Sequence, residues 1–136
     1  MTGTEKLRKQ PLGVVVGSLL VVIGGALPWA ASGSRDRSSY QLVQFAERNE
    51  LLPSSIAGVA TVWLLVPFAG AAVVAAVALG RRRIAVGIGI GLAVATGALA
   101  VAVYQSPLVP RYGVAVSCAG ALLIVADVIR HAVRRD

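Results

Sequence analysis

Four long apolar segments dominate the chain, separated by short polar connections. They lie at about 12–31, 55–80, 84–104 and 112–129. Each is near or above the roughly 20 residues with which an α-helix crosses a hydrocarbon layer of about 30 Å. None shows the alternation of polar and apolar residues that marks a barrel strand. The pattern therefore predicts an all-α fold, a polytopic membrane four-helix bundle that forms a single domain over residues 1–136.

The longest polar connection, residues 27–55, predicts one further helix. Ser38 is followed three residues later by Gln41, a capping-box pattern that starts a helix at about 39–49. The apolar side chains of this stretch fall on or near one face, so we expect an amphipathic helix in the first extracytoplasmic loop, flat on the outer leaflet or covering the bundle. Those apolar residues are Leu42, Val43, Phe45 and Ala46.

Prolines and arginines shape the connections. Pro28 is expected to end the first helix, with Trp29 beside it as an interfacial anchor. Pro67 lies within the second segment and removes one backbone hydrogen bond, which predicts a kink. Arg81–Arg83 form the whole turn between the second and third segments, which makes those helices an antiparallel neighbouring pair.

Composition and charge favour a membrane protein and orient it. The 136 residues are 57% hydrophobic and 14% charged, with a mean hydropathy of +0.78, too apolar for a soluble domain of this size. Nine lysines and arginines flank the segments on one side and four on the other, so the positive-inside rule predicts cytoplasmic N- and C-termini. The nine are Lys6, Arg8, Lys9, Arg81, Arg82, Arg83, Arg130, Arg134 and Arg135; the four are Arg35, Arg37, Arg48 and Arg111.

The net charge of +7 favours contact with anionic lipid head groups. Nucleic-acid binding is the competing interpretation of a pI of 10.8. We do not expect it, because the cations are split among short clusters with no interleaved aromatic residues.

Glycine spacing predicts close helix packing. Gly13 and Gly17 in the first segment, and Gly87 and Gly91 in the third, recur at i and i+4. Each pair therefore lies on one helix face, where backbones approach closely in lipid. The contact is either internal to the bundle or made with another chain. We favour internal packing, since a compact bundle needs such faces itself.

Asp127 is the intramembrane acidic residue of the chain, and such a residue is a functional candidate. It lies about one turn from the end of the fourth segment, with Arg130 at i+3 and His131 at i+4. An interfacial carboxylate paired with those cations is the simpler interpretation. A proton or cation relay is the alternative.

The first polar connection also carries candidate donors for a ligand or partner. Together they would surround an anionic head group, an envelope glycolipid or a partner protein, with one arginine contributed by the second outer connection. The plainer interpretation is an ordered loop that covers the helix ends. The candidate residues are Arg35, Arg37, Ser38, Ser39, Tyr40 and Arg111.

Catalytic chemistry has little support in the sequence. His131 is the only histidine, and the glycine-rich stretch GIGIG at 87–91 lies inside an apolar segment. Cys118 is the only cysteine, which excludes an internal disulfide and disfavours a metal cluster. We therefore expect no enzymatic activity, no cofactor and no metal.

The stretch GALPWAASGSRDRSSYQL, followed by AERNEL, resembles a set of small four-span membrane proteins of high-GC actinobacteria. The resemblance covers about residues 24–52. It implies a plasma-membrane location and an outward-facing LPW…RSSY feature, and it implies no chemistry.

Two functions fit these inferences. The favoured one is a non-enzymatic accessory or scaffold subunit of a cell-envelope membrane complex, which binds another membrane protein or a second copy. The alternative is a lipid- or small-solute-binding protein or a transporter subunit, in which Arg35, Arg37 and Arg111 gather the anionic part of the ligand. A scaffold predicts a packed interior with an outward seam of small residues, and a binding protein predicts an open cavity.

Overall fold

A computed structural model describes residues 11–32, 34–48, 61–105 and 108–133. This part of the chain is mostly helical and includes three short strands. In chain order the elements are α1 (Leu12–Ala26), β1 (Pro28–Ser32), β2 (Arg35–Ser38), α2 (Ser39–Arg48), α3 (Val66–Ala78), α4 (Arg82–Gln105), β3 (Val109–Pro110) and α5 (Tyr112–Val133). The expected start of the second long helix, near residue 55, lies outside the described residues.

The four apolar helices pack side by side. α1 contacts α3, α4 and α5, and its contact with α5 is the most extensive. α4 also packs against both α3 and α5. We call the end that carries the strands and α2 the sheet end, and the end that carries the turn between α3 and α4 the arginine end.

α1 ends five residues before the position predicted from the apolar pattern. Leu27 is extended, with φ −75° and ψ 162°, because the ring of Pro28 disfavours helical backbone at the preceding residue. The chain continues as β1, the central strand of a three-stranded antiparallel sheet in the order β2-β1-β3. The helix predicted over 27–31 is therefore wrong, and the all-α prediction needs this small sheet added to it.

The capping box at the start of α2 is confirmed. The backbone N–H of Ser38 donates to Oε1 of Gln41 at 3.1 Å. The N–H of Gln41 donates in return to Oγ of Ser38 at 3.4 Å. These bonds satisfy two donors at the helix start, and α2 runs over Ser39–Arg48.

The second apolar segment is interrupted near Pro67, where a kink was expected. Residues 61–63 are helical, a turn follows at 64–65, and α3 begins at Val66. Pro67 thus lies in the first turn of α3, where its missing N–H removes no intrahelical bond. The structure shows a break in the helix rather than a bend.

A glycine-terminated turn connects α3 to α4. Gly80 has φ +72°, and its N–H donates to the carbonyl of Val77 at 3.0 Å. The N–H of Arg81 reaches the carbonyl of Ala76 at 2.7 Å, which completes a Schellman motif. α4 begins at Arg82, so the expectation that three arginines form the whole turn is wrong for two of them. Arg82 and Arg83 belong to the first turn of α4.

Glycines bring α1 and α5 into backbone contact. A Cβ added at Gly17 would lie 2.5 Å from the carbonyl oxygen of Gly120, and one added at Gly120 would lie 2.6 Å from the carbonyl oxygen of Gly17. At Gly13 it would lie 2.5 Å from Cβ of Asp127. Gly24 packs equally closely against Ser117. Larger side chains at these positions would force the two helices apart.

α4 and α5 are each long and apolar enough to cross a membrane, and α1 and α3 are shorter apolar helices. The helices are apolar on their outward faces as well as on their packed faces. Large side chains exposed on them include Leu19, Phe68, Val94 and Leu122.

Candidate functional site

The sheet end is organised around two tryptophans. Trp29 and Trp63 are buried, with ring centroids 5.8 Å apart at an interplanar angle of 71°. Nε1 of Trp29 donates to the carbonyl of Gly24 at 2.8 Å, near the last turn of α1. Trp29 was expected as an interfacial anchor, and its ring is instead buried against α1, β1 and the segment that carries Trp63.

Ser39 links the elements of the sheet end through one hydroxyl group. Its Oγ donates to the carbonyl of Gly25 at 2.7 Å and accepts a bond from Nε1 of Trp63 at 3.0 Å. Ser39 is fully buried. Since Ser38 caps α2, both serines predicted to contact a ligand are engaged in bonds within the chain.

The arginines of the sheet end differ in their surroundings. Arg111 pairs with Asp36, with Nε 3.2 Å from Oδ1, and both side chains are about half exposed. The guanidinium of Arg37 stacks over the ring of Phe45 at 4.2 Å, a cation–π contact. Its Nε is buried and has no hydrogen-bond partner among the described residues. Arg35 is exposed on β2.

Tyr40 is the remaining candidate at this end. Burial raises the pKa of its phenol, and its hydroxyl is buried without a hydrogen-bond partner in the described part of the chain. The hydroxyl lies close to Gly25, where an added Cβ would be 3.1 Å away. Tyr40 thus lies beside the C-terminus of α1, next to Ser39.

The arginine end is organised around Asp127. Its Oδ2 accepts the backbone N–H of Val14 at 3.2 Å, which places a carboxylate from α5 at the N-terminus of α1. Pro11, the N-cap of α1, supplies no side-chain cap. The carboxylate of Asp127 therefore does what an N-cap side chain ordinarily does and complements the positive end of the helix dipole.

The same carboxylate contacts His131 one turn later. Nδ1 of His131 lies 3.2 Å from Oδ1 of Asp127 and 2.8 Å from the backbone oxygen of that residue. The side chain of Asp127 is only 11% exposed. Of the two expected partners, the described structure shows the pair with His131 and no ion pair with Arg130.

A cavity of about 230 Å³ opens beside this pair. Its polar lining consists of Asp127 and His131 from α5 and of Arg82 and Arg83 from α4. Apolar side chains of α1, α4 and α5, among them Val14, close the remaining walls. The lining therefore combines two arginines and a histidine with apolar side chains.

The glycines of α4 divide between its two faces. Gly89 faces the interior, where an added Cβ would lie 2.7 Å from Cγ1 of Val14. Among the described residues, no atom lies within 4 Å of a Cβ added at Gly87 or Gly91. The described part of the chain therefore shows no internal packing at these two positions.

Sequence reasoning missed three features of these sites. The sequence did not mark Trp63 as part of the site, because its hydrogen-bond partner Ser39 is 24 residues away along the chain. The cap that Asp127 provides for α1 joins residues 113 apart. The cavity depends on how α4 and α5 meet, although a sequence signal was available in the two arginines that open α4.

No family model, curated protein or solved structure matches the chain.

Proposed function

We propose that the protein spans the plasma membrane four times and acts as a non-enzymatic accessory or scaffold subunit of a cell-envelope complex. Outward apolar side chains on all four apolar helices support the membrane location; Phe68 is 70% exposed and Leu122 is 69% exposed. Such surfaces associate in water and are solvated in lipid. The distribution of cations supports cytoplasmic termini, with the arginine end inside and the sheet end outside.

The outward face of α4 supports the proposal that the protein binds a partner. Gly87 and Gly91 lie one helical turn apart, opposite the face on which Ala85 and Gly89 are buried. Each glycine in a helix interior destabilises the helix by about 0.5–1 kcal/mol relative to alanine. Packing within the described part of the chain does not offset this cost, because no atom approaches these positions.

A second helix would offset the cost. In lipid, helices associate where small residues let two backbones approach closely. Val94 and Ala98 extend the same exposed face toward the sheet end. We therefore assign this face to another membrane protein or to a second copy of the chain.

Purification from membranes tests the assignment. A tagged protein is extracted in mild detergent, and proteins that co-purify in stoichiometric amount are identified by mass spectrometry. We expect such a partner with the unchanged chain and its loss with the double variant Gly87→Leu and Gly91→Leu. The matched control is Ala71→Leu with Ala75→Leu, an i, i+4 pair exposed on α3, which should keep the partner. Retention of the partner by the glycine variant, or no stoichiometric protein at all, contradicts the proposal.

The competing function, an anion-binding protein that uses Arg35, Arg37 and Arg111, has less support. Arg111 is paired with Asp36, and Arg37 stacks on Phe45. Either arginine would have to leave its present partner to bind a ligand.

A further inference from the structure

We propose that the cavity at the arginine end is a binding site for a phosphate group, with Arg82 and Arg83 as its ligands and His131 as a third donor. This site lies at the opposite end of the helices from the arginines of β2. It adds a ligand to the proposed scaffold and does not depend on the face of α4 that carries Gly87 and Gly91.

The charge of the cavity favours an anion. Among the described residues that line it, Asp127 is the only carboxylate. Its two oxygens are already engaged, one by the N–H of Val14 and one by His131. Among the described residues neither Arg82 nor Arg83 forms an ion pair. Among the described residues that line the cavity, two arginines therefore accompany one carboxylate that already has other partners.

The start of α4 adds to this imbalance. α4 is 24 residues long, and its first turn has no acidic side chain. Arg82 and Arg83 therefore lie at the positive end of a helix dipole, where cations are unfavourable and anions are stabilised. A bound anion would relieve the repulsion between these groups.

The donor types suit a phosphate group. Guanidinium groups match the tetrahedral oxygens of phosphate through paired hydrogen bonds. Nδ1 of His131 faces two oxygen atoms of Asp127, so this nitrogen carries the donated proton. Nε2 donates to a ligand oxygen when the ring is doubly protonated.

The size and lining of the cavity limit which groups can be attached to the phosphate. At about 230 Å³ the cavity is smaller than the roughly 300–1,000 Å³ of typical small-molecule pockets. Val86 and Val128 lie beside the polar groups, and they suit the glycerol and first methylenes of a lipid. A lipid head group and free phosphate share the recognised chemistry, and the lipid source rests on the proposed membrane location.

Binding measurements on the full chain in a nonionic detergent test the site. The probes are dioleoyl phosphatidic acid and dioleoylglycerol, which differ only in the phosphate, with native mass spectrometry as the readout. We expect binding of phosphatidic acid only, weakened about tenfold or more by Arg82→Gln or Arg83→Gln, as the loss of a charged hydrogen bond predicts. Arg81→Gln is the matched control. Arg81 carries the same charge and directly precedes α4, and it does not line the cavity.

A charge-neutral variant separates the cavity from general attraction to a basic surface. Ala132 lines the opening, so Ala132→Phe should fill it and weaken binding by a similar factor. Inorganic phosphate then identifies the source: displacement of the lipid by millimolar phosphate indicates a soluble phosphate ligand, and its failure to displace indicates a head group. Equal losses with Arg81→Gln and Arg82→Gln, or unchanged affinity with Ala132→Phe, would overturn the site. Either result leaves the partner test on Gly87 and Gly91 unaffected.

Discussion

At the scale of single residues, one hydroxyl group holds the sheet end together. Ser39 is buried between the carbonyl of Gly25 and the indole N–H of Trp63. Removing the hydroxyl leaves a buried donor and a buried acceptor without their partner. Such unsatisfied groups cost about 1–3 kcal/mol, more than the hydrogen bond itself contributes.

Ser39→Ala should therefore lower the free energy of unfolding by about 1–3 kcal/mol. The measurement is denaturant unfolding of the purified protein in detergent, followed by tryptophan fluorescence, since Trp63 reports directly on the site. Ser34→Ala, at an exposed position near β2, is the control and should change little. Equal stability of the two variants would show that the Ser39 network does not stabilise the fold.

The residue scale also shows what local sequence can and cannot predict. The capping box of Ser38 and Gln41 was predictable, because both partners lie within one helical turn. The role of Ser39 was not, because it depends on a tryptophan from another element. Asp127 drew attention in the sequence as an acidic residue in an apolar segment, but its bond to the N–H of Val14 required knowing that α1 and α5 are neighbours.

At the scale of elements, the contact between α1 and α5 depends on glycine. The backbones meet at Gly17 and Gly120, where a Cβ on either residue would approach the other's carbonyl oxygen. Backbone cannot move aside as a long side chain can. The two helices must therefore separate to admit even a methyl group, and the cap that Asp127 gives α1 would loosen with them.

Gly17→Ala should destabilise the protein by about 1–3 kcal/mol, the usual range for overpacking a well-packed interior. Gly97→Ala is the control for a glycine in an open position, because no described atom lies within 4 Å of a Cβ added at Gly97 on α4. That change should be neutral or stabilise the helix by about 0.5–1 kcal/mol. Thermal unfolding of both variants in one detergent provides the comparison, and a Gly17→Ala protein as stable as Gly97→Ala would refute the close contact.

The elements themselves were predictable to different degrees. The lengths of the apolar segments predicted the bounds of α4 and α5 closely, because a helix that is apolar on all sides appears in the sequence as a long uninterrupted apolar run. β1 was missed because PWAAS continues the apolar run of α1 and carries no alternation of its own. The break before α3 follows from Pro67, but the sequence alone does not choose between a kink and a turn.

At the scale of the whole molecule, polar chemistry is concentrated at two ends separated by apolar helices. The sheet end holds the ion pair of Arg111 with Asp36, and the arginine end holds Asp127, His131 and the basic start of α4. This division supports the proposed membrane location, since charged groups in a hydrocarbon interior are costly. The charge bias between the ends supports the proposed orientation.

Membrane location and orientation are the central proposal at this scale. The most direct measurement is labelling of single cysteines in intact cells with a maleimide that does not cross membranes, in a Cys118→Ala background. Ser34→Cys reports on the sheet end and Ala132→Cys on the arginine end, and neither change alters the charge balance. The account predicts that Ser34→Cys is labelled in intact cells and that Ala132→Cys is labelled only after permeabilisation. Labelling of Ala132→Cys in intact cells, or equal labelling of both, would contradict it.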